Sequence, residues 1–315
     1  MNELQNIQPT SGWLIVDKPT NTSSARAGNL IRKALNFRKI GHVGTLDPMA
    51  TGLLICAANE ATKFIPYFTP DLPACTRVRK EYVFEVAFGQ STDSYDAEGS
   101  VTGVSTHFPR AEHLAEICKS MIGRQQQCPP IFSAIKHGGR RLCDMARRGE
   151  CITPLPREIF IHSLELVHCV EDNGVRSATF KASVSGGTYV RSLAHDISLK
   201  AGTLGHVTSL RRTKDGPFDI SQAISLEKLV NLAHKEDISS FLVPVGAVLG
   251  DIPAVSVSER DFDGAVCGRA FSVAEPSFES LSDSTFVRIM FGGTFLGVGW
   301  LESGVCYPRR LLSFP

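Results

Sequence analysis

Short segments of the chain alternate between apolar and polar residues with a period of two, which is typical of strands with one buried face. Residues 82–88 and 178–184 show this alternation. Residues 53–58 form a continuous apolar run, which predicts a strand buried on both faces. Residues 12–17 predict one more short strand, which ends where Lys18 and Pro19 follow.

Two further segments have helical spacing of their apolar residues. Residues 110–122 predict one helix. After the Gly186-Gly187 pair, the apolar residues from Val190 to Ile197 recur at helical intervals and predict a second helix. Thr188 precedes this segment and is the expected N-cap.

Strands with interspersed helices predict an α+β domain rather than repeated βαβ units. We expect a mixed, largely antiparallel sheet core flanked by helices. Beyond about residue 241 the chain changes to short, glycine-rich strand patterns, at residues 287–290, 294–300 and 305–307. These patterns predict a small β-barrel-like module. The predicted domain boundary lies near Leu249 and separates residues 10–248 from residues 249–315.

The formal net charge of +1 does not by itself indicate a nucleic-acid-binding protein, so the distribution of basic residues matters more. A single basic cluster is usually a solvated face. Four clusters on a near-neutral chain favour a phosphate-binding surface, because the compensating acids lie elsewhere. The clusters are Lys136, Arg140, Arg141, Arg147 and Arg148; Arg77, Arg79 and Lys80; Arg211, Arg212 and Lys214; and Arg309 and Arg310.

The nine cysteines are scattered, odd in number and without a Cys-x-x-Cys pair. They predict neither a disulfide framework nor a zinc site, and they favour a reducing cytoplasm. We expect most of them to be small buried hydrophobes. No apolar run is long enough to span a bilayer, and residues 1–10 are too polar for a signal peptide.

The most distinctive loop is residues 41–52, GHVGTLDPMATG. Its three glycines and its proline imply a tightly specified backbone, and Pro48 disfavours a helical conformation at Asp47. The apolar run that follows anchors the loop to the core, so the loop can hold the Asp47 carboxylate rigidly at a pocket wall. From the pattern alone, a turn-forming role for Asp47 is the more common one, since Asp-Pro often initiates turns.

The same loop resembles the catalytic signature of the TruB-type tRNA pseudouridine synthases, G-H-x-G-[TA]-L-D-P-x-A-T-G. Further motifs of that family follow in the family's order, and the resemblance runs from about Gly12 to the C-terminus. These motifs are Ala61-Thr62-Lys63, Lys80-Glu81-Tyr82, residues 90–99, residues 129–136 (PPIFSAIK), residues 139–147, Gly187-Thr188-Tyr189-Val190-Arg191 and Leu210-Arg211-Arg212-Thr213.

The resemblance implies the pseudouridine synthase fold with a PUA-like RNA-binding module at residues 249–315. It implies isomerisation of uridine 55 in the T-loop of tRNA, in which the bond from ribose C1′ to N1 breaks and the base reattaches through C5. That reaction needs no metal or cofactor. We expect a cytoplasmic monomer that needs no protein partner and does not bind membranes. Two alternatives stay open: a tRNA-binding or tRNA-folding protein without essential catalysis, and a synthase of the guide-RNA-dependent type.

The resemblance assigns the catalytic role to Asp47 and an ion pair with Asp47 to Arg191. A physical argument supports a partner for Arg191, because a cation in the first turn of a helix opposes the helix dipole at a cost of roughly 0.3–1 kcal/mol. By resemblance Tyr82 stacks on the flipped target base, although a core aromatic is the commoner role for such a residue.

Further family positions fall on residues whose sequence context also allows an ordinary structural role. Tyr189 and Leu210 are expected to line the pocket or to belong to the core. His42 is expected to help open the T-loop or to be a buried histidine. Lys63 is a phosphate contact or a surface lysine, and Asp96 is an active-site neighbour or a turn residue.

Residues 124–153 resemble the insertion that closes over the RNA in this family. By resemblance Lys136, Arg141 and Arg147 contact RNA phosphates. Cys143 stands where the family usually has tyrosine, so an RNA contact there is expected to be weaker or absent. Asn59 replaces a usual glycine, and the turn is expected to survive because asparagine tolerates a left-handed backbone.

Overall fold

The computed structural model describes residues 11–68, 79–150, 152–232, 238–250, 252–273 and 284–313. The predictions made for residues 1–10, Arg77, Cys75 and Cys151 lie outside the described residues. Within the described part of the chain, no helix has both the length and the apolar character needed to cross a membrane.

The elements alternate between strands and short helices along most of the chain. The strands are β1 (Gly12–Lys18), β2 (Ile40–Val43), β3 (Thr51–Ala58), β4 (Arg79–Phe88), β5 (Gln90–Thr92), β6 (Val101–Val104), β7 (Gly123–Gln127), β8 (Lys136–His137), β9 (Arg140–Arg141), β10 (Arg157–Glu171), β11 (Val175–Ser185), β12 (Gly205–Asp215), β13 (Phe218–Asp219), β14 (Ile224–Ser225), β15 (Ala254–Ser256), β16 (Phe271–Ser272), β17 (Thr285–Phe291), β18 (Thr294–Glu302) and β19 (Val305–Leu311). The helices are α1 (Ser24–Ala34), α2 (Ile65–Phe68), α3 (Ala111–Ser120), α4 (Leu142–Ala146), α5 (Val190–Lys200), α6 (Leu226–Leu232) and α7 (Phe262–Val266), and 3-10 turns cover Asn59–Phe64, Ile220–Gln222, Ile238–Phe241 and Val245–Leu249.

The large sheet has the strand order β14-β1-β3-β12-β4-β11-β10-β7, with β2 beside β3 and β13 beside β12. Its β1–β14 and β3–β12 pairs are parallel, and its other pairs are antiparallel. The predicted mixed, largely antiparallel α+β core is therefore confirmed. The strands predicted at residues 12–17, 53–58, 82–88 and 178–184 are all present.

The central strands of this sheet are covered on both faces. In β3, Leu54 and Cys56 pack with the helices on one face, whereas Leu53 and Ile55 pack against the opposite side. Burial of alternate side chains in two different clusters explains why residues 53–58 form a continuous apolar run. Strand β3 leads directly out of the loop that holds Asp47, so the loop is anchored to the most deeply buried part of the sheet.

The helix predicted around residues 190–197 is present as α5, but the predicted N-cap is wrong. Tyr189 is the N-cap residue, and its side chain makes no capping hydrogen bond. The Thr188 hydroxyl instead donates to the Ser185 carbonyl at 2.9 Å. Gly187 has a φ of 91°, so the left-handed turn after β11 includes Thr188 and delays the start of the helix by one residue.

Asn59 has a φ of 52°, so the turn expected to survive the replacement of glycine does survive. The cysteines give a mixed result. All seven described cysteines are free thiols, as predicted. Three of them, Cys56, Cys118 and Cys306, are buried, and the other four are partly or fully exposed, so the expectation that most are buried is wrong for the described residues.

The C-terminal strands form a separate five-stranded sheet in the order β15-β17-β18-β19-β16. It contains the strands predicted near residues 287–290, 294–300 and 305–307. Val255, Ile289 and Leu301 belong to its own hydrophobic core. A small curved sheet with its own core agrees with the β-barrel-like module that the sequence predicts.

The two sheets share a hydrophobic cluster where they meet. The Trp13 indole N–H donates to the Val245 carbonyl at 2.9 Å. Phe64 packs edge-on against Phe295 with ring centroids 5.4 Å apart. The Trp13 contact joins β1 to the 3-10 turn at Val245–Leu249, and the Phe64 contact joins the 3-10 turn after β3 to β18. The C-terminal sheet therefore packs against the turn that follows β3, the strand that anchors the Asp47 loop.

We predict that Phe64→Ala destabilises the whole protein. Removal of this fully buried ring leaves a cavity in the shared cluster, and the free energy of unfolding is expected to fall by about 3–5 kcal/mol. Urea titration followed by circular dichroism measures the change. Leu155, which is 78% exposed, serves as the control, and Leu155→Ala is expected to change the value by less than about 0.5 kcal/mol. If both variants lose an equally small amount of unfolding free energy, the cluster shared by the two sheets contributes little to stability.

Candidate active site

A pocket of about 340 Å³ opens where the Asp47 loop meets β4, β12 and the start of α5. Its walls combine apolar, aromatic and charged side chains. They are Gly44, Thr45, Leu46, Asp47, Lys80, Tyr82, Phe132, Ser133, Ala134, Cys143, Gly187, Thr188, Tyr189, Val190, Arg191, Leu210 and Arg212. This size and mixture are those of pockets that bind small ligands.

Side chains from outside the loop fix the backbone on both sides of Asp47. The Ser24 hydroxyl accepts from the Leu46 N–H at 2.8 Å and donates to the Leu46 carbonyl at 2.9 Å. The buried Lys18 ammonium donates to the Pro48 carbonyl at 3.3 Å. Burial lowers the pKa of Lys18 to about 8, and the nearby Asp47 opposes this shift. These contacts hold the Asp47 carboxylate at a fixed place in the pocket wall.

Arg212 spans the two ends of the same loop. Its guanidinium donates to the Leu53 carbonyl at 2.7 Å and to the Gly44 carbonyl at 3.0 Å. Asp215 lies 3.3 Å from Arg212 and 3.2 Å from Lys80, and all three residues are buried. Gly44 has a φ of 60°, which strains most other residues, and a Cβ there would lie 2.4 Å from the Lys80 ammonium and would displace it. Arg212 and Lys80 were each predicted to belong to a phosphate-binding cluster on the surface. That prediction is wrong for these two residues, because both are buried and paired with Asp215.

Arg191 and Asp47 form a two-point ion pair. The Arg191 Nε lies 2.9 Å from Asp47 Oδ2, and Nη2 lies 3.1 Å from Oδ1. Arg191 is 4% exposed, whereas the Asp47 side chain keeps 32% of its surface accessible from the pocket. Parallel hydrogen bonds of this kind fix the plane of a carboxylate as well as its position. The partner expected for a cation in the first turn of a helix is thus Asp47.

Asp96 supplies a second carboxylate to Arg191. Its Oδ2 lies 3.4 Å from Arg191 Nη1, which also donates to the Ser94 carbonyl at 2.9 Å. The other oxygen, Oδ1, accepts from the Ser94 hydroxyl at 2.6 Å and from the Glu98 N–H at 3.0 Å. Asp96 therefore stabilises a turn through its Oδ1 and also lies beside the ion pair between Arg191 and Asp47. Arg191 lies between two carboxylates, which compensates its charge at the start of a helix.

Aromatic and apolar side chains complete the pocket around Asp47. Tyr82 and Leu210 are nearly buried, and both belong to the main core cluster while they line the pocket. Tyr189 lies across the pocket at the start of α5. Burial is the main cause that raises the pKa of the Tyr189 phenol. The structure thus brings five predicted site residues together: Asp47, Tyr82, Tyr189, Arg191 and Leu210.

Other predicted site residues lie outside this pocket. His42 is half-buried on β2, with a ring nitrogen 3.4 Å from the Thr45 hydroxyl. Burial and the Arg212 charge lower the pKa of His42, which favours the neutral ring. Lys63 pairs with Glu60 and donates to the Ser313 hydroxyl at 3.1 Å.

The basic residues of the insertion are exposed on the β8–β9 hairpin and α4. Lys136 and Arg141 line a separate cleft of about 370 Å³. Arg147 lies 4.0 Å from Asp144 in an exposed pair, which contributes little at such a distance. These basic residues therefore present positive charge at the protein surface.

The sequence did not single out Lys18, Phe132 or Ser133 as site residues. Phe132 and Ser133 lie within the PPIFSAIK motif, which was the available signal for them. Lys18 could be suspected because it ends an apolar strand, where a buried cation needs several acceptors. Cys143 does line the pocket, so the position that differs from the family pattern belongs to the same pocket as Asp47. Within the described residues, no group of three or more His, Cys, Asp or Glu side chains is arranged to hold a metal ion.

Comparison with solved structures gives the same fold. The chain is similar to a chain in the "structure of H/ACA RNP bound to a substrate RNA containing 2'-deoxyuridine", with a TM-score of 0.72 and 20% identity, over 99% of this chain and 88% of that one. It is also similar to a chain in the "crystal structure of a Cbf5-Nop10-Gar1 complex", with a TM-score of 0.70 and 24% identity, over 97% and 86% of the two chains. At this level of identity the likeness shows the fold, which is that of the pseudouridine synthases.

Sequence comparison extends the match to the family. Residues 32–190 match the model of the TruB family pseudouridylate synthase N-terminal domain, and residues 191–250 match the tRNA pseudouridylate synthase B C-terminal domain. A "tRNA pseudouridine synthase B" of Caulobacter vibrioides is 39% identical over 96% of this chain and 96% of its own length. One of Zymomonas mobilis is 43% identical over 78% of this chain and 80% of its own length. The chain that holds Asp47 and Arg191 in this pocket therefore belongs to the TruB family of pseudouridylate synthases.

Proposed function

We propose that this protein is an isomerase that converts uridine 55 in the T-loop of tRNA to pseudouridine. Family membership supports the reaction, and the relatives' name, tRNA pseudouridine synthase B, supports the class of RNA. The observation that carries the proposal is the Asp47 carboxylate, which Arg191 fixes at the wall of a pocket large enough for one base.

The pocket suits a base that has left the RNA stack. Enzymes that act on a base in folded RNA turn it out into a pocket and hold it by stacking on aromatic side chains. Tyr82 offers such a ring, and Tyr189 and Leu210 line the same pocket. Stacking restrains the plane of the base and leaves it free to rotate within that plane, which the change from N1 to C5 attachment requires.

The Asp47 carboxylate supports either of two first steps. It can attack C1′, which forms a bond to the sugar as the C1′–N1 bond breaks and the electron pair leaves with uracil. It can instead remove the C2′ proton, which gives a glycal and the same uracil anion. In both routes the rotated base reattaches through C5, and the proton on C5 leaves at the end. Both routes use the Asp47 carboxylate, and Arg191 holds both of its oxygens in place.

Basic surfaces outside the pocket are proposed to hold the tRNA backbone. We assign phosphate contacts to Lys136, Arg141 and Arg147 in the insertion at residues 124–153, and to Lys63. His42 is assigned to the opened T-loop, because its neutral ring suits contact with bases. Residues 249–315 form the proposed PUA-like RNA-binding module, and residues 10–248 form the catalytic domain.

We propose that the protein works as a cytoplasmic monomer on the tRNA alone, without a cofactor, a protein partner or a guide RNA. The fold neighbours come from multi-component complexes, so a guide-dependent reaction is the alternative from the same fold. Incubation of the purified protein with an unmodified tRNA transcript separates the two. Pseudouridine mapped at position 55 by carbodiimide chemistry and mass spectrometry is the expected result. An unchanged uridine would reject the stand-alone function.

We predict that Asp47→Asn abolishes turnover without loss of RNA binding. The amide can neither attack C1′ nor accept a proton, so kcat is expected to fall on the order of 10³-fold or more. RNA affinity is expected to stay within about threefold, because the substitution keeps the shape of the side chain. Mass spectrometry of the tRNA and filter binding measure the two quantities.

Glu98→Gln is the matched control for Asp47→Asn, because Glu98 is an exposed carboxylate close to Asp47. It is expected to keep nearly full activity. A protein whose only role is to bind or fold tRNA would show no turnover in the unaltered form either. If Asp47→Asn still modified the RNA, the assignment of Asp47 would be wrong.

We predict that Arg141→Ala weakens tRNA binding and reduces its salt dependence. Loss of one phosphate contact releases one fewer counterion, so the slope of log affinity against log salt concentration is expected to fall by about 1. Fluorescence anisotropy at several salt concentrations measures the slope. Lys228→Ala, which removes one exposed cation on α6, is the control and is expected to leave the slope unchanged. Identical slopes in all three proteins would show that Arg141 does not contact an RNA phosphate.

A further inference from the structure

Three consecutive residues at the start of α5 line the pocket, yet the N-cap side chain makes no capping hydrogen bond. Tyr189 is the N-cap residue and Arg191 is in the first turn, and neither hydroxyl nor carboxylate from residues 186–190 satisfies the helix start. The backbone of Tyr189 is satisfied instead by a residue that lies 62 positions earlier in the chain, Gln127. The geometry of the pocket therefore depends on a side chain that does not enter it.

Gln127 is the last residue of β7 and is 1% exposed. Its amide oxygen accepts from the Tyr189 N–H at 2.8 Å, and its amide nitrogen donates to the Tyr189 carbonyl at 3.1 Å. A buried amide is costly unless its polar atoms are paired, and here both are paired with one residue. The two bonds reproduce the pairing of neighbouring strands and fix the backbone of Tyr189 in both directions.

The residues that follow Gln127 continue this attachment along α5. The Ser192 hydroxyl donates to the Cys128 carbonyl at 2.7 Å. The Arg191 guanidinium donates to the Phe132 carbonyl at 2.9 Å with the same Nη2 that contacts Asp47. Gln127, Cys128 and Phe132 thus each form a hydrogen-bonded contact with the start of α5, at Tyr189, Ser192 and Arg191 respectively.

We propose that Gln127 is a positioning residue for the isomerisation, which sets the places of Tyr189 and Arg191 relative to Asp47. The inference rests on the proposed function, since it concerns the geometry of that reaction. Gln127 touches neither the pocket nor the reacting atoms, and it acts through the backbone of Tyr189.

The size of the effect follows from how steeply reaction rates depend on geometry. A displacement of about 1 Å in a group that orients the reacting atoms lowers a rate on the order of 10²-fold. Gln127→Leu keeps the volume and burial of the side chain but removes both hydrogen bonds. We expect kcat to fall about 10- to 100-fold while KM for tRNA stays within about threefold, because the phosphate-binding residues are unchanged.

Gln126→Leu is the matched control, because it removes the same amide from the adjacent position. Gln126 is exposed on the other face of β7 and does not line the catalytic pocket. This variant is expected to keep kcat within about twofold of the unaltered protein. Thermal unfolding of both variants, followed by circular dichroism, gives the folded fraction at the assay temperature, and kcat is corrected for it.

Gln127→Glu gives a readout that a purely structural role would not produce. A neutral carboxylic acid can accept from the Tyr189 N–H and donate to its carbonyl, whereas a carboxylate can only accept and repels that carbonyl. We expect kcat of Gln127→Glu, relative to the unaltered protein, to rise as the pH falls from about 8 to about 5.5, through the range in which a buried glutamate becomes neutral. Circular dichroism at each pH confirms that both proteins stay folded.

Three outcomes decide the proposal. A selective fall in kcat for Gln127→Leu, together with the pH-dependent recovery of Gln127→Glu, supports it. If Gln127→Leu does not fold, the pH profile of Gln127→Glu alone decides. A corrected kcat within about twofold of the unaltered protein, or a Gln127→Glu activity ratio that does not change with pH, overturns it. If the unaltered protein leaves uridine 55 unchanged, the proposed function fails first and this inference fails with it.

Discussion

The buried guanidinium of Arg191 is the group on which the arrangement of the pocket depends. It contacts Asp47 in the loop at residues 41–52, Asp96 and the Ser94 carbonyl in the turn after β5, and the Phe132 carbonyl at residues 124–153. Arg191 therefore links α5 to three segments that are distant from it in sequence. A buried cation is stable only with its partners in place, so each segment is held by the requirement that Arg191 stay paired.

A second buried cation does the same for the loop itself. Arg212 bridges the carbonyls of Gly44 and Leu53, and Asp215 balances the charges of Arg212 and Lys80. The two arginines come from α5 and β12, which pack against each other in the core. Asp47 is thus positioned by the main sheet and its helices, and its loop has little freedom of its own.

Much of the fold follows from periodicity because the strands bury alternate residues in predictable ways. The run at residues 53–58 is buried in two clusters, and the alternation at residues 82–88 places Tyr82 on the core face, as predicted. The N-cap of α5 could not be found from residue type, because its partner, Gln127, comes from another strand. The interior position of Lys80 was also hidden, since Asp215 becomes its partner only when β4 and β12 pair.

The site was predicted in part by physical reasoning and in part by resemblance. A partner for Arg191 followed from the charge of a helix start, whereas the choice of Asp47 as that partner came from the motif. The sequence left Asp96 undecided between two roles, and the fold gives it both. The family roles of Lys63 and His42 remain predictions, because both side chains lie outside the pocket and have partners of their own.

Under the proposed function, the hydrophobic cluster shared by the two sheets affects which RNA the protein selects. Trp13 and Phe64 belong to one hydrophobic cluster, and Phe295 of the C-terminal sheet packs against it, so the described strands of the two sheets are held together at this point. The distance from the pocket to the outer surface of the C-terminal sheet is then set by this packing. Under the proposed function, an RNA that contacts both places must match that distance, which selects a folded RNA by its length as well as by its sequence.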